Sequence, residues 1–383
     1  MILSLSRMAA MEAPDLASGA ITVQAGVVLA ALHDALDGSG LMCPMHLGAE
    51  GSAQIGGLIG SNAGGSHAFR FGMMADLVLG LEVVLPDGMV WNGLRAVETD
   101  NAGYALRKLF CGAEGTLGVV TRAVLRLSSH PRTRTTALLA LPDAAALVAF
   151  GRRLRAEAGE FLTGLEFFPD FGLSLALRHV PRLVFPLERR AAWYLLVEVA
   201  SCSPRVPLDD TVQDILEWGM TEGLVVDGAL AVSEAQRAVF WRLREEQPEG
   251  QRLEGAQLKH DISVPPGRIA EFVAHGADFC EALLPGTRIN PFGHLADGNI
   301  HYNLSPPVGR ADFGGLAAEF ALGLARLADG MGGSFAAEHG LGRAKIALAD
   351  ALRDPVERVL MARLKQAFDA EGRMNPGVIV AED

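Results

Sequence analysis

GAEGSAQIGG at residues 48–57, SNAGG at residues 61–65 and GAEGTLG at residues 112–118 are three glycine-rich segments in the first third of the chain. Glycine lacks a Cβ atom, so its backbone N–H groups can approach an anionic ligand closely. None of the segments has the spacing of a dinucleotide-binding GxGxxG turn or of a phosphate-binding GxxxxGK[ST] loop. Ordinary tight turns explain any one segment, but three together indicate a cofactor site.

The composition limits the classes of function. The chain has 383 residues, which suits two domains, and its net charge of -12 without a basic block argues against nucleic acid as a partner. The four cysteines are far apart and form no CxxC pair, so we expect reduced thiols and no zinc ribbon. No apolar run approaches the roughly 18 residues of a membrane span, and residues 1–7 do not resemble a secretory signal. We expect a cytoplasmic protein without a transmembrane segment.

The pattern of apolar residues changes near residue 130. Before it, short strands such as 21–25 and 81–85 alternate with glycine-rich loops, and the Pro-Asp-Gly at 86–88 predicts a hairpin turn. After it, strands alternate with amphipathic helices, as at 135–141 and 143–158. This alternation predicts an α+β domain with an antiparallel sheet.

One of the last helices has clear sequence signals. Asp354 is a good N-cap residue, and Pro355 suits the first helical position. The predicted apolar stripe of this helix consists of Val356, Leu360, Leu364 and Phe368.

The strongest chemical signal is GHLADGNIHYN at residues 293–303. Asp-Gly is a preferred two-residue hairpin turn, and a tip at 297–298 would place His294 directly opposite His301. Opposed residues have Cβ atoms about 4.5–5.5 Å apart, close enough for two imidazoles to share one metal ion. The alternative is a pair of surface histidines; the Asp-Gly tip and the flanking Asn299 and Asn303 favour a site.

A third ligand must come from another segment. Glu338, in the AEHGLG segment at residues 337–342, is the best candidate. Two histidines and one carboxylate leave coordination positions open, which is typical of a catalytic metal site. A helix that merely begins with Glu-His is the alternative.

The combined motifs resemble a known family. GG at 56–57, NAGG at 62–65, RFG at 70–72 and LGLEVVLPDG at 79–88 are similar to the FAD-binding domain of vanillyl-alcohol-oxidase-type flavoproteins. Residues 293–303, 338–345 and 374–377 resemble the FAD-linked oxidase C-terminal domain. The resemblance is strongest to the group that includes D-2-hydroxyglutarate dehydrogenase, D-lactate dehydrogenase (cytochrome) and the glycolate oxidase flavin subunit.

The resemblance implies a fold and its domain limits. We expect a truncated vanillyl-alcohol-oxidase-type (PCMH-like) FAD-binding domain over residues 1–129. A ferredoxin-like α+β FAD-linked oxidase C-terminal domain would follow over residues 130–383, with its last residues returning to the flavin. The first domain is expected to be truncated because family members carry an additional N-terminal stretch with the first pyrophosphate loop.

The resemblance also implies roles for individual residues. The divalent metal, commonly zinc in the family, would be held by His294, His301 and Glu338. Arg244 and Lys259 match residues that bind the substrate carboxylate, with Asn303 beside them, and His339 matches the candidate base. We assign His46 and His260 to structural roles. The residues that would contact FAD are Gly48, Gly51, Ser52, Gly56, Gly57, Asn62, Gly64, Gly65, Gly115, Gly118, Val119 and Asn375.

The implied activity is the FAD-dependent oxidation of a D-2-hydroxy acid to the 2-oxo acid. The sequence does not distinguish D-2-hydroxyglutarate, D-lactate and glycolate as substrates. It also leaves open the electron acceptor (a flavoprotein, a quinone or a cytochrome) and the oligomeric state, a homodimer included. One alternative is an inactive, flavin-free remnant of the family. Another is a metallohydrolase, although no GxSxG or HExxH motif is present.

Overall fold

The computed structural model describes residues 2–381, so positions 1, 382 and 383 of the two predicted domains lie outside the described residues. The chain divides into two compact units. The first comprises Met1–His130 and Glu338–Asp383, and the second comprises Pro131–Ala337. The sequence-based division placed everything after residue 129 in the second domain, whereas the segment from Glu338 onward packs within the first unit.

The regular elements are numbered in chain order within residues 2–381. The strands are β1 (Ala20–Gln24), β2 (Leu41–Met42), β3 (Val78–Val84), β4 (Val90–Gly93), β5 (Val119–Arg126), β6 (Ser128–Ser129), β7 (Thr133–Leu141), β8 (Leu162–Pro169), β9 (Trp193–Ser201), β10 (Asp227–Leu230), β11 (Asp261–Ser263), β12 (Arg288–His294) and β13 (Asn299–Ser305). The α-helices are α1 (Leu29–Leu36), α2 (Ile55–Gly60), α3 (Ala68–Phe71), α4 (Met74–Leu77), α5 (Leu106–Phe110), α6 (Ala144–Ala158), α7 (Asp170–His179), α8 (Leu208–Thr221), α9 (Glu234–Glu245), α10 (Gln247–Glu254), α11 (Ile269–Leu283), α12 (Ala317–Gly330), α13 (Ile346–Leu352) and α14 (Pro355–Phe368).

The sheet of the first unit has the strand order β1-β5-β3-β4, with antiparallel pairing between neighbours. The predicted hairpin at residues 86–88 is confirmed, because β3 and β4 pair from Val84↔Val90 onward. Gly88 has a φ of 88°, a conformation that glycine adopts without a steric penalty. Apolar side chains of these strands and of α1 and α2 form the core of the unit.

Helix α14 contacts this core with only part of its length. Its predicted N-cap is confirmed, because the Asp354 side chain accepts the backbone N–H groups of Val356 and Glu357. The predicted apolar stripe is wrong in its first half, since Val356 and Leu360 are 65% and 57% exposed. Only Leu364 and Phe368 pack against the core, so the stripe is buried near the C-terminal end of the helix.

The sheet of the second unit has the strand order β10-β7-β9-β8-β12-β13-β11, and its neighbouring strands pair antiparallel. This confirms the predicted antiparallel α+β architecture. Leucine, alanine and aromatic residues of β7, β8 and β9 pack against α7 and α9 on one face of the sheet. The same cluster includes Phe292 on β12, so the apolar face reaches the hairpin that carries the predicted histidines. Among residues 2–381, no helix combines the length and apolarity needed to cross a bilayer.

Candidate active site

The hairpin of β12 and β13 has a different register from the predicted one. His294 pairs with Asn299, and Phe292 pairs with His301, so the loop spans the four residues 295–298 instead of two. The prediction that His294 and His301 lie directly opposite each other is therefore wrong. Because the register differs by two positions, both histidines still share one face of the sheet, as diagonal neighbours.

Contacts outside the hairpin fix this longer loop. Leu295 and Ala296 are buried, and the Leu295 N–H donates to the Leu165 carbonyl oxygen on β8. Val264 donates its N–H to the Gly298 carbonyl oxygen, and a Cβ atom on Gly298 would lie 1.8 Å from the Val264 oxygen. Leu165 on β8 and Val264, the residue after β11, thus hold a four-residue loop, whereas the Asp-Gly preference alone predicts a two-residue turn.

The two imidazoles lie close enough to share a metal ion. The ring centroids of His294 and His301 are 5.9 Å apart with an interplanar angle of 70°. Two imidazoles that coordinate one ion at about 2.1 Å each have centroids separated by up to roughly 6.5 Å. His294 is buried, and His301 is partly exposed. The separation of the two rings is therefore compatible with the predicted sharing of one divalent ion.

Glu166 on β8 orients the first of these histidines. Its register partner is His294, and its Oε1 atom lies 2.6 Å from His294 Nδ1. Burial by itself raises the pKa of this carboxyl, but the charges of His294 and Arg244 outweigh it and keep the pKa of Glu166 below its usual range. An ionised Glu166 accepts the Nδ1 proton, which places the coordinating lone pair on Nε2. Metal-binding histidines are commonly oriented in this way.

Arg244 on α9 contacts the other oxygen of the same carboxylate. Its Nε atom lies 2.8 Å from Glu166 Oε2, and its side chain is only 9% exposed. The guanidinium carbon sits 4.8 Å from the centre of the Phe292 ring. The His301 ring also contacts Phe292, with 5.2 Å between the ring centroids. The predicted carboxylate-binding arginine is thus next to the histidine pair, and its Nε edge is occupied by a buried glutamate.

Two predicted substrate-binding residues, Lys259 just before β11 and Asn303 on β13, share the face with the histidines. Asp261 pairs with His301, and Leu258 forms a bridge with Leu304, so Lys259 lies at the level of Asn303. Side chains alternate along a strand, which places Lys259, Asn303 and His301 on one face. Asn303 is buried and Lys259 is exposed. The second unit therefore brings together His294, His301, Arg244, Lys259 and Asn303.

The predicted flavin residues lie in the first unit, and their glycines are of two kinds. A Cβ atom on Gly48, Gly51 or Gly57 would meet nothing within 4 Å, so these positions border open space where a cofactor can approach. Gly65 instead faces the His46 carbonyl oxygen, which a Cβ atom would approach to 2.1 Å. Gly56 and Gly118 similarly allow close packing, against Ala25 and β3. The first group leaves room for a ligand, so its predicted contact with FAD stays a prediction, and the second group allows close packing of the loops.

Glu338 and its neighbours pack against these loops within the first unit. A Cβ atom on Gly64 would lie 2.8 Å from Glu338 Oε1. Glu114 accepts the backbone N–H groups of Leu341 and Gly342, at 2.9 Å each. The Asn375 side chain donates to the Glu114 carbonyl oxygen at 2.6 Å. The 338–342 motif and Asn375 are thus attached to the predicted flavin loop at 112–118.

The remaining predicted residues are also in the first unit. Gly115 belongs to this same loop, and Val119 opens β5. Ser52 lies in the turn before α2. His339 is exposed. The Asn62 side chain accepts the Ala75 N–H at the start of α4, so this residue has a structural contact as well as its predicted cofactor role.

Comparison with known sequences matches both halves of the chain. Residues 130–379 match the family described as FAD linked oxidases, C-terminal domain, and residues 1–93 match the FAD binding domain. The chain belongs to the FAD-linked oxidase family. FAD is accordingly the cofactor of this family, and the expected fold, a PCMH-like FAD-binding domain with an FAD-linked oxidase C-terminal domain, is confirmed.

Curated relatives of this FAD-linked oxidase are named D-2-hydroxyglutarate dehydrogenase. The mitochondrial protein of Bos taurus is 36% identical over 94% of the chain, which covers 64% of that relative. The Danio rerio protein is 35% identical, with coverages of 98% and 69%. The protein of Xanthomonas citri pv. viticola is 34% identical, with coverages of 98% and 79%. The chain thus spans under two thirds of the bovine relative.

Solved structures share the fold of the FAD-linked oxidase at low sequence identity. Substrate-bound p-cresol methylhydroxylase has a TM-score of 0.70 and 15% identity, over 97% of this chain and 78% of that one. 4-Ethylphenol oxidase from Gulosibacter chungangensis has a TM-score of 0.71 and 17% identity, over 99% and 80%. At these identities the likeness concerns the fold alone, which is that of the vanillyl-alcohol-oxidase-type flavoproteins.

Proposed function

We propose that this protein is an FAD-dependent dehydrogenase that oxidises a D-2-hydroxy acid to the 2-oxo acid. The observation that carries the proposal is the buried Glu166, which contacts both His294 and Arg244 on the face that also holds His301. This arrangement places a predicted metal-binding imidazole pair next to a cationic side chain. A metal ion can bind the hydroxyl group of a 2-hydroxy acid, and a cation can bind its carboxylate. D-2-hydroxyglutarate is the first candidate substrate, because the curated relatives carry that name.

We assign the metal to His294, His301 and Glu338, with zinc as the first ion to test. The support in the second unit is the ring separation of 5.9 Å and the Glu166 contact that favours Nε2 of His294 as the ligand atom. Glu338 remains a prediction from the sequence. A bound divalent ion would act as a Lewis acid, and FAD would accept a hydride equivalent.

The protein residues then bind the substrate and accept a proton. Arg244 and Lys259 would hold carboxylate groups, and Asn303 would donate or accept a hydrogen bond beside them. His339 would take the hydroxyl proton as a general base. The electron acceptor stays open among a flavoprotein, a quinone and a cytochrome, and the predicted cytoplasmic location and homodimer remain predictions.

The proposal is tested by anaerobic reduction of the flavin in the purified full chain. D-2-hydroxyglutarate is expected to bleach the visible FAD absorbance, and its L enantiomer is expected to leave it unchanged. D-lactate and glycolate in parallel identify which acid the site prefers. A protein that retains FAD but is bleached by none of these acids would contradict the proposed activity. A protein that takes up no FAD would instead support the flavin-free alternative.

The metal assignment has its own experiment. His301→Ala is expected to abolish turnover and to lower the bound metal content, while the FAD absorbance stays unchanged. His275→Ala, which changes an exposed histidine of α11, is the matched control. Full activity of the His301→Ala protein would refute a catalytic role for this residue.

A further inference from the structure

A second group of metal-binding side chains lies wholly within the first unit. His33 is on α1, and His46 and Glu50 are in the segment between β2 and α2. Each residue offers one ligand atom, and these atoms all lie within 4.8 Å of one another. Glu50 Oε1 is 2.8 Å from His46 Nδ1, and Glu50 Oε2 is 3.6 Å from His33 Nδ1. The set therefore has two imidazoles on opposite oxygens of one carboxylate.

These separations suit coordination of a single ion. Ligand atoms that are each about 2.1 Å from one ion lie roughly 3.0–3.4 Å apart in octahedral or tetrahedral geometry. The two observed distances of 2.8 and 3.6 Å fall on either side of that interval. The side chains of His33, His46 and Glu50 are 20%, 39% and 31% exposed. An ion can therefore enter from solvent and retain water in its open coordination positions.

Two observations favour a cation over a simple hydrogen-bonded cluster. First, Nδ1 of His33 lies 3.6 Å from Glu50 Oε2, which is longer than a hydrogen bond, and the other ring nitrogen, Nε2, is buried without a hydrogen-bond partner within residues 2–381. An ion at Nδ1 would supply the contact that this separation lacks. Second, the ring centroids of His33 and His46 are only 4.7 Å apart. Protonation of both rings to pair with one carboxylate would place two like charges together, whereas a metal ion takes neutral imidazoles.

The cluster also connects the glycine-rich loops. The Glu50 carbonyl oxygen accepts the Ala30 N–H in the first turn of α1, at 3.1 Å. The His46 carbonyl oxygen accepts the Ser66 N–H at 3.3 Å, directly after the loop at 61–65. An ion on His33, His46 and Glu50 would thus join α1 to both loops. We propose that these three residues bind a divalent transition-metal ion that fixes the loops at 48–57 and 61–65.

The test measures metal binding to the full chain in a His301→Ala background, which removes a ligand of the other candidate site. Metal-free protein is titrated with Co²⁺, followed by its visible absorption, and with Zn²⁺ in competition. Glu50→Gln keeps the size of the side chain and removes its charge, so the affinity is expected to fall by about 100-fold or more. His33→Ala is expected to act likewise, and His275→Ala is expected to bind Co²⁺ as the background protein does.

A second readout does not depend on turnover. Zn²⁺ is expected to raise the Tm of the background protein and to leave the Tm of its Glu50→Gln variant unchanged. Equal Co²⁺ affinity in the Glu50→Gln and His275→Ala proteins would overturn the proposal. If Glu50→Gln does not fold, His46→Gln is judged by the same criterion. The proposed metal site at His294 and His301 is tested separately. Equal metal content in the wild-type and His301→Ala proteins would contradict that site and leave the present proposal unaffected.

Discussion

Nδ1 of His294 lies 2.6 Å from Oε1 of Glu166, between two strands that are neighbours in the sheet but far apart in sequence. The contact is buried, and the second oxygen of Glu166 meets Arg244. One carboxylate thus orients a predicted metal ligand and a predicted substrate-binding residue. The geometry of both residues depends on the charge of Glu166.

Replacement of Glu166 tests whether its charge sets the metal affinity of His294. Glu166→Gln keeps the shape of the side chain but removes the charge that holds the Nδ1 proton of His294. We expect the Zn²⁺ affinity of the hairpin site to fall by about 10–100-fold, the usual effect of losing such an outer partner. Isothermal titration of metal-free protein measures this in a Glu50→Gln background, which removes a ligand of the other candidate site. Glu157→Gln, at an exposed position of α6, should bind Zn²⁺ as the wild type does, and equal affinity in both variants would contradict the role given to Glu166.

Arg244 should affect both substrate binding and stability. Arg244→Met leaves Glu166 buried with one charged partner fewer, which is expected to cost about 3–5 kcal/mol in the free energy of unfolding. If the arginine also binds the substrate carboxylate, KM should rise by roughly 100-fold, corresponding to about 2.7 kcal/mol. Chemical denaturation and steady-state kinetics measure the two effects. Arg242→Met on the same helix is the control, and an unchanged KM in Arg244→Met would restrict Arg244 to a structural role.

Two glycines of the first unit should respond differently to alanine. Gly57 lies within α2 and faces open space, so Gly57→Ala should preserve or slightly raise stability but weaken FAD binding by obstructing the cofactor. Gly65→Ala would push a Cβ atom to within 2.1 Å of the His46 carbonyl oxygen, so it should lower both stability and FAD affinity. Thermal unfolding and flavin titration distinguish these outcomes. Normal FAD affinity in Gly57→Ala would argue against a cofactor beside this helix.

The lowered pKa of Asp369 predicts that the stability of the protein depends on pH. Burial opposes its charge, but hydrogen bonds from Lys365 and from the N–H groups of Arg373 and Met374 lower its pKa below the ordinary value of 3.8. A lowered pKa in the folded state means that the stabilisation is complete above the unfolded-state pKa and is lost as the pH falls through the folded-state pKa.

The corresponding variant is Asp369→Asn. Its deficit in unfolding free energy should be about 2–3 kcal/mol from neutral pH down to roughly pH 5, and it should shrink as the pH falls further. Urea denaturation across this range measures the deficit. Asp34→Asn, an exposed position on α1, should show little deficit at any pH. A deficit in Asp369→Asn that is unchanged at pH 2–3 would show that the lost stability does not depend on the carboxylate charge.

The sequence was sufficient for features that depend on local patterns. The hairpin after β3, the N-cap at Asp354 and the antiparallel α+β arrangement follow from turn chemistry, capping and periodicity, which act over a few residues. The strand β8 was not among the predicted elements, and Glu166 was therefore missed as a partner of His294. Its one available signal was a single charged residue in the otherwise uncharged strand Leu162–Pro169.

The common face of His294 and His301 was determined by the sequence, because side chains alternate along a strand and a register shift of two positions preserves the face. The length of the turn between them was decided by tertiary structure, since Leu165 on β8 accepts the Leu295 N–H and Val264, just after β11, donates to the Gly298 carbonyl oxygen. Tertiary structure also decided the contact between Glu166 and His294 and the exposure of the first half of α14. These features depend on which segments meet in space, and the order of residues within one segment carries no information about that.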